Sequence, residues 1–312
     1  MSALLTLAAF AFGIWLMVEG AEKFTEGLLR SSVRFGIATF VLGYLVSGID
    51  LENLAVGVVA VSHGQPGISM GTVIGSAIFL LLFAVGLTAV IHPLRARVPR
   101  RLLLLTLLSP IPLLLLGRDG IISRSDGLAL LVLALLLIGY VLYTARTDPL
   151  LQVKERKLAK EHRERPAWWA AALVVGGTVA IMVGAELFSR SVEGILAWLG
   201  WSGTRFGMLV VAAAVSAEEV PRMLAPARRG HAGISIGNIL GTIMFFALFN
   251  AGVIALAHPI VLAPTTLSFY WPVMFGSLLL VTALLWRGEI ARPAGVLLLS
   301  SYAGFALLAA TI

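Results

Sequence analysis

Long apolar segments alternate with short polar segments along the whole chain. Ten of them approach or exceed the roughly 18 residues that a helix needs to cross a bilayer. They lie at about 3–20, 37–61, 68–91, 102–117, 127–145, 167–188, 206–227, 233–257, 266–286 and 293–312. Each is continuously apolar rather than alternating, which favours helices over β-barrel strands. The pattern therefore predicts an all-α polytopic membrane protein with about ten transmembrane helices.

The composition agrees with a membrane location. Of all residues, 59% are hydrophobic and only 12% are charged, whereas a soluble domain carries about twice that share of charge. The chain contains no cysteine, which excludes disulfides, thiolate metal sites and cysteine catalysis. The N-terminal segment has no positively charged region and no obvious cleavage site, so it is interpreted as the first membrane helix.

A glycine-studded motif occurs twice, 166 positions apart. Residues 67–79 read GISMGTVIGSAIF and residues 233–245 read GISIGNILGTIMF. Without gaps, residues 64–93 and 230–259 share 13 of 30 positions, including a His-Pro pair. Small residues at four-residue spacing also permit close helix packing, but packing alone does not explain a copy so far along the chain.

The two copies begin on opposite sides of the predicted membrane, because five crossings separate them. The chain is therefore predicted to consist of two inverted five-helix repeats, 1–145 and 167–312, joined by a basic linker at 146–166. Inverted repeats are typical of secondary transporters, where they provide two related conformations for alternating access.

The basic residues predict the orientation. If the N-terminus is outside, 19 of the 23 lysines and arginines lie on the cytoplasmic side, seven of them in the linker. This bias predicts a multi-pass protein with external N- and C-termini, and the short loops favour a bacterial-type inner membrane. Anionic lipid headgroups account for the net charge of +7, so no nucleic-acid partner is expected.

Four carboxylates lie near the middle of predicted membrane spans: Asp50 and Glu52 in the second, Glu218 and Glu219 in the seventh. A charge at that depth costs roughly 2.5–3.5 kcal/mol, so it is usually paired, protonated or bound to an ion. The 166-residue shift maps Glu52 onto Glu218, which predicts that acids from both repeats meet at mid-membrane depth. An alternative is a structural ion pair between Glu218 and Arg222, four residues apart.

Other candidate chemistry is sparse. The five histidines lie in predicted loops or at helix ends, and none forms a metal-binding pair at helical spacing. Glu19, Glu22 and Glu186 lie near helix ends and are interpreted as interfacial. No enzyme is expected, although embedded acids and a histidine leave an intramembrane hydrolase as an alternative, which would need a nucleophile in contact with a base.

Two pairs of segments resemble the conserved motifs of the sodium/calcium exchangers of the cation/calcium antiporter superfamily. Those motifs run Gly-Thr-Ser-Leu-Pro-Glu and, after a loop glycine, Gly-Asn-x-x-Gly-Ser-Asn-Ile-Phe-Asn. The first copy here reads GIDLEN (48–53) and GTVIGSAIFL (71–80), and the second reads AVSAEE (214–219) and GNILGTIMFF (237–246). The resemblance covers nearly the whole chain and implies the exchanger fold and antiport of cations.

The resemblance also implies ligand positions, with departures. The family's essential glutamate falls on Asn53 in the first repeat and on Glu219 in the second, and its hydroxyl ligands fall on Ser76, Ser216 and Thr242. The family's amide or acid on the third and eighth helices falls on Leu80 and Phe246, which cannot ligate an ion. Ile49, Asp50 and Val215 replace the family's remaining threonines and serine.

These observations predict a secondary active cation antiporter that exchanges Ca²⁺, Na⁺ or K⁺ for H⁺ or Na⁺ and acts as a monomer in lipid without a cofactor. The predicted site comprises Asp50, Glu52, Asn53, Ser76, Ser216, Glu218, Glu219 and Thr242. Calcium prefers six to eight oxygen ligands, so the loss of two side-chain ligands favours a proton-coupled antiporter over a sodium/calcium exchanger proper. A membrane scaffold or sensor that kept the fold and lost ion exchange is the alternative from another class.

Overall fold

The computed structural model describes residues 3–35, 50–95, 98–147, 167–217, 219–228 and 232–312. This part of the chain is mainly helical. The first half contains α1 (Ala3–Phe35), α2 (Leu51–Ser62), α3 (Pro66–Ile91), β1 (Leu94–Arg95), α4 (Arg100–Leu108), α5 (Ile111–Leu116), β2 (Ile121–Ile122) and α6 (Arg124–Thr147).

The second half contains corresponding elements. These are α7 (Ala167–Leu199), α8 (Gly203–Ser216), α9 (Glu219–Arg228), α10 (Ala232–Met244, continuing through Phe245–Asn250 and Ala251–Ala257), β3 (Ile260–Val261), α11 (Thr266–Trp286), β4 (Glu289–Ile290) and α12 (Arg292–Thr311). Six described helices, namely α3, α6, α7, α10, α11 and α12, contain a segment long and apolar enough to cross a membrane. Three shorter apolar segments lie at Leu5–Gly20, Leu51–Ser62 and Gly203–Ser216.

Helices α3 and α10, which carry the duplicated glycine motif, lie at the centre of the molecule. Within their membrane-crossing segments, 78% and 83% of the residues are buried, against 22% in α6 and α12. The remaining apolar side chains of the outer helices, such as Leu135 and Leu307, are exposed on the protein surface, where lipid solvates them. The predicted all-α polytopic membrane fold is confirmed.

The inverted repeat is visible in two short antiparallel strand pairs. Strand β1 pairs with β4, and β2 pairs with β3. The shift of 166 residues carries β1 onto β3, and a shift of 168 carries β2 onto β4. Exchanging the two halves therefore converts one strand pair into the other, as a two-fold relation between the repeats requires.

Glycine contacts between helices show the same exchange. A Cβ on Gly13 of α1 would lie 2.8 Å from the carbonyl oxygen of Gly184 in α7, and one on Gly20 would lie 2.8 Å from that of Gly177. A shift of 164 residues carries Gly13 to Gly177 and Gly20 to Gly184, so each contact is the counterpart of the other. Because glycine lacks a Cβ, the two backbones can pack at this distance.

Several predicted spans differ from the helices of the structure. Helix α1 continues to Phe35, beyond its predicted end near residue 20. The fourth predicted span is two helices, α4 and α5, separated at Ser109–Pro110, because a proline cannot donate the backbone hydrogen bond that would continue α4. The predicted division into 1–145, 146–166 and 167–312 stays a prediction, since 148–166 lie outside the described residues.

Two helices of the structure start at the candidate site, inside spans that the sequence predicts. The backbone of Asp50 is not helical, with φ −74° and ψ 94°, and α2 begins after it. In the second half, α8 ends at Ser216 and α9 begins at Glu219. Pro221 favours this second break, since it lacks the N–H that would bond to Ala217 but is tolerated in the first turn of a new helix. The predicted spans 37–61 and 206–227 therefore contain helix starts at Leu51 and Glu219, while 36–49 and 218 lie outside the described residues.

Candidate functional site

The first helix start is organised around the carboxylate of Asp50. Its Oδ1 accepts a hydrogen bond of 3.0 Å from the backbone N–H of Asn53, which is the usual N-cap interaction. Its Oδ2 accepts a second bond from the side-chain Nδ2 of Asn53. Asp50 is 5% exposed and Asn53 is fully buried, so both groups are held inside the protein.

Hydrogen bonds extend from Asn53 to two other helices. Ser76 of α3 donates to Asn53 Oδ1 at 2.6 Å, and Asn53 Nδ2 lies 3.4 Å from the Oγ of Ser216 at the end of α8. Ser76 and Ser216 are both fully buried. The bond to Ser216 joins the first half of the chain to the second, beside the equivalent helix starts at Leu51 and Glu219.

Glu219 is the corresponding acid of the second half, and both of its carboxylate oxygens have partners. Arg222 Nη1 donates to Oε1 at 3.0 Å, and Asn238 Nδ2 of α10 donates to Oε2 at 2.7 Å. The Glu219 side chain is fully buried, whereas 33% of the Arg222 side chain is exposed. Ser235 further attaches α10 to α9 by donating to the carbonyl oxygen of Met223 at 2.7 Å.

The two acidic groups belong to helix starts that a hydrogen bond joins across the repeats. Asn53, which donates to Asp50, lies 3.4 Å from the Oγ of Ser216, three residues before Glu219. No group of three or more histidine, aspartate and glutamate side chains with metal-binding geometry occurs in the part of the chain that the structure describes. The oxygens near the repeat boundary are instead of mixed type, namely the carboxylates of Asp50 and Glu219, the amide of Asn53 and the hydroxyls of Ser76 and Ser216.

The remaining predicted site residues have different positions. Glu52 is 1% exposed and therefore does not face lipid, but it lies one residue before Asn53 and points about 100° away from it around α2. Thr242 is fully buried on α10, one turn beyond Asn238 and on the same side of that helix. Glu218 lies outside the described residues. The assignment of all eight residues to one cation site stays a prediction.

The two positions where the family's ligands are missing are packed with apolar side chains. Leu80 and Phe246 are both fully buried and belong to the main hydrophobic core. Each lies in a π-helical segment, Phe79–Ala84 in α3 and Phe245–Asn250 in α10. Segments of this kind occur frequently at functional sites, and here they occupy equivalent places in the two repeats.

Three polar residues of this region were absent from the predicted site. Arg222 pairs with Glu219, because α9 begins at Glu219 and the three-residue spacing places Arg222 beside it, whereas the alternative partner Glu218 lies outside the described residues. Asn238 belongs to the motif GNILG, and the first repeat has Thr72 at the equivalent position. This difference between the two aligned repeats could have identified Asn238. Asn250 is fully buried, and neither atom of its amide has a hydrogen-bond partner among the described residues. It lies one helical turn beyond Phe246.

Comparisons with known proteins agree with this architecture. The family profile described as "Sodium/calcium exchanger protein" matches residues 5–145 and 169–311. "Inner membrane protein YrbG" of Escherichia coli (strain K12) is 28% identical over 313 residues, which cover 96% of this chain and 95% of that protein. "Putative antiporter CaxA" of Alkalimonas amylolytica is 25% identical, over 94% of this chain and 95% of that protein.

The fold is also that of a solved exchanger. A structure of the sodium-calcium exchanger NCX_Mj soaked with 10 mM Na⁺ and without Ca²⁺ superposes with a TM-score of 0.67 at 26% identity. The match covers 96% of this chain and 97% of that one. The chain therefore belongs to the sodium/calcium exchanger protein family, and the matches support the predicted activity of a cation antiporter.

Proposed function

We propose that this antiporter exchanges a hard inorganic cation, Na⁺ or Ca²⁺ in the first place and K⁺ in the second, for H⁺ or Na⁺. The available ligands are carboxylate, amide and hydroxyl oxygens, which bind such ions in preference to soft metals. The chain has no cysteine, so its site offers no thiolate. The names of two related proteins also support the proposal. CaxA is named an antiporter, and NCX_Mj is named a sodium-calcium exchanger.

The observation that carries the proposal is the hydrogen bond between Asn53 and Ser216, because it brings equivalent helix starts of the two halves together. Around it lie Ser76 and the acids Asp50 and Glu219, all at least nine-tenths buried. A site shared by two inverted repeats can open first to one side of the membrane and then to the other as the repeats move. Glu52, Glu218 and Thr242 complete the proposed set.

We further propose that the protein lies in the inner membrane with both termini external and the basic linker in the cytoplasm. The bias of 19 in 23 basic residues supports this orientation. The related protein YrbG is named an inner membrane protein, which agrees with the location.

Flux measurements in liposomes test the exchange activity. Purified protein is reconstituted with a gradient of Na⁺ or H⁺, and uptake of labelled calcium, sodium or potassium is followed. We expect uptake of at least one of them that depends on the gradient, and its loss in Asp50→Asn and Glu219→Gln. Arg118 is exposed and lies outside the site, so Arg118→Gln serves as the control. Wild-type rates in both acid variants would contradict the proposal.

A fold-retaining scaffold or sensor is the second candidate, and the packing of Leu80 and Phe246 favours it. Because any bound ion stabilises the folded state, a protein that exchanges cations must also be stabilised against heat by one of them. We expect such stabilisation of the detergent-solubilised wild type by at least one cation. Its absence for every cation, together with absent flux, would establish the second candidate instead.

A further inference from the structure

Among the described residues, Arg222 is the positively charged side chain that pairs with the buried acid of the second half. Arg222 has no counterpart in the first half, because the shift of 166 residues carries it to Val56, which is fully buried and apolar. The first half instead has a neutral amide, Asn53, at the position equivalent to Glu219. The arginine is therefore found in the repeat that has a carboxylate, Glu219, where the other repeat has Asn53.

The ion pair is positioned so that a second cation would compete with it. Arg222 Nη1 lies 3.0 Å from Glu219 Oε1, and the other oxygen accepts a bond of 2.7 Å from Asn238. A metal ion bound to Glu219 would lie within a few ångströms of the guanidinium and be repelled by it. Close binding of a cation to this carboxylate therefore requires that the guanidinium move away.

Arg222 is able to move, since a third of its side chain reaches the protein surface while its partner is fully buried. A long arginine side chain can transfer its charged end to water while its methylene groups stay packed. Glu219 cannot follow it, because it lies in the first turn of α9 and is held by Asn238 from α10.

We propose that Arg222 is a tethered competitor of the transported cation. Its guanidinium neutralises Glu219 when no ion is bound, and the arriving cation displaces it toward water. The residue thereby lowers the affinity of the site by the same factor for every cation, because each ion must first displace the guanidinium. This inference rests on the proposed cation site.

Substitution of the arginine tests the competition. We expect Arg222→Gln to bind cations about tenfold more tightly or better, because the competing state is removed. The gain is expected to be similar for Ca²⁺ and Na⁺, because both ions must displace the same guanidinium. Arg222→Lys keeps the charge and should stay near the wild-type affinity. Arg228→Gln removes the same charge from an exposed position of the same helix and is the matched control.

A second measurement uses the wild type and does not depend on the folding of a variant. Phenylglyoxal modifies accessible arginines, and mass spectrometry gives the rate for each site. Saturating CaCl₂ or NaCl is expected to accelerate modification of Arg222 several-fold relative to an equal ionic strength of choline chloride, and to leave Arg228 unchanged. An unchanged rate at Arg222 would overturn the inference.

The binding results separate this inference from the proposed function. If the wild type transports ions and Arg222→Gln binds them no more tightly, the competitor role is wrong and the antiporter stands. If the wild type neither binds nor transports ions but Arg222→Gln binds them, the guanidinium does occupy the site and the proposed exchange fails. An equal gain in Arg222→Gln and Arg228→Gln would also overturn the competitor role.

Discussion

At the scale of single residues, Asp50 has two separable roles. Its carboxylate caps α2 through the backbone N–H of Asn53, and in the proposed site its charge attracts the cation. Capping depends on an acceptor atom, whereas attraction of a cation depends on charge. Asparagine caps a helix about as well as aspartate does but is neutral, so two substitutions can distinguish these roles.

We expect Asp50→Ala to lower the free energy of unfolding by about 1 kcal/mol through loss of the cap, and Asp50→Asn to lower it much less. Both variants should lose cation affinity to a similar degree, because both remove the charge. Thermal unfolding with and without added NaCl or CaCl₂ measures the two effects. Equal destabilisation by both substitutions, or full cation stabilisation of Asp50→Asn, would contradict these assignments.

At the scale of helices, close glycine contacts determine how the central elements pack. A Cβ on Gly71 of α3 would lie 2.3 Å from the backbone carbonyl group of Gly207 in α8, so the two backbones touch there. Its repeat equivalent, Gly237 of α10, has no atom of the described residues within 4 Å of a Cβ in that position. Among the described residues, the same residue at equivalent places therefore makes a close backbone contact in the first repeat only.

We expect Gly71→Ala to destabilise the protein by several kcal/mol, because two backbones must separate to admit the methyl group. Gly237→Ala should leave the stability unchanged or raise it slightly, since alanine favours a helix by up to about 1 kcal/mol. Thermal unfolding of both variants in the same detergent makes the comparison. Equal melting temperatures for the two variants would show that the α3–α8 contact is looser than described.

At the scale of the whole molecule, two inverted halves imply that equivalent positions face opposite sides of the membrane. Residues Gly64 and Gly120 lie on turns in the first half, and Gly288 lies on a turn in the second, all with positive φ. In the proposed orientation the first two face the exterior and the third faces the cytoplasm. The absence of cysteine makes this orientation measurable with single introduced thiols.

A membrane-impermeant maleimide added to intact cells should label cysteines at Ser62 and Asp119 but not one at Gly288. Ser62 and Asp119 are exposed beside these turns, and a cysteine at Gly288 is strained by the positive φ but has no atom of the described residues within 4 Å of its Cβ. Labelling of position 288 only after the membrane is permeabilised is the expected result. The reverse pattern would place both termini in the cytoplasm.

The fold could be predicted from the sequence to a large extent, because apolar length and the duplicated glycines both report on helices in lipid. The positions at which helices start could not, since Asp50 and Glu219 lie inside apolar segments whose hydropathy continues past them. The pair of Arg222 with Glu219 depends in the same way on where α9 begins, and the alternative pair with Glu218 stays a prediction because Glu218 lies outside the described residues. Glu52 was favoured as a site acid, but the interaction between the halves involves its neighbour Asn53.

The central claim is that one cation site is formed by acids from both halves of the chain. Isothermal titration of the wild type, Asp50→Asn, Glu219→Gln and the double variant with Na⁺ and Ca²⁺ tests it most directly. We expect each single substitution to remove most of the affinity for the same ion and the double variant to lose little more, because the two acids act on one ion. Losses that add independently, or affinity that survives in either single variant, would contradict a shared site.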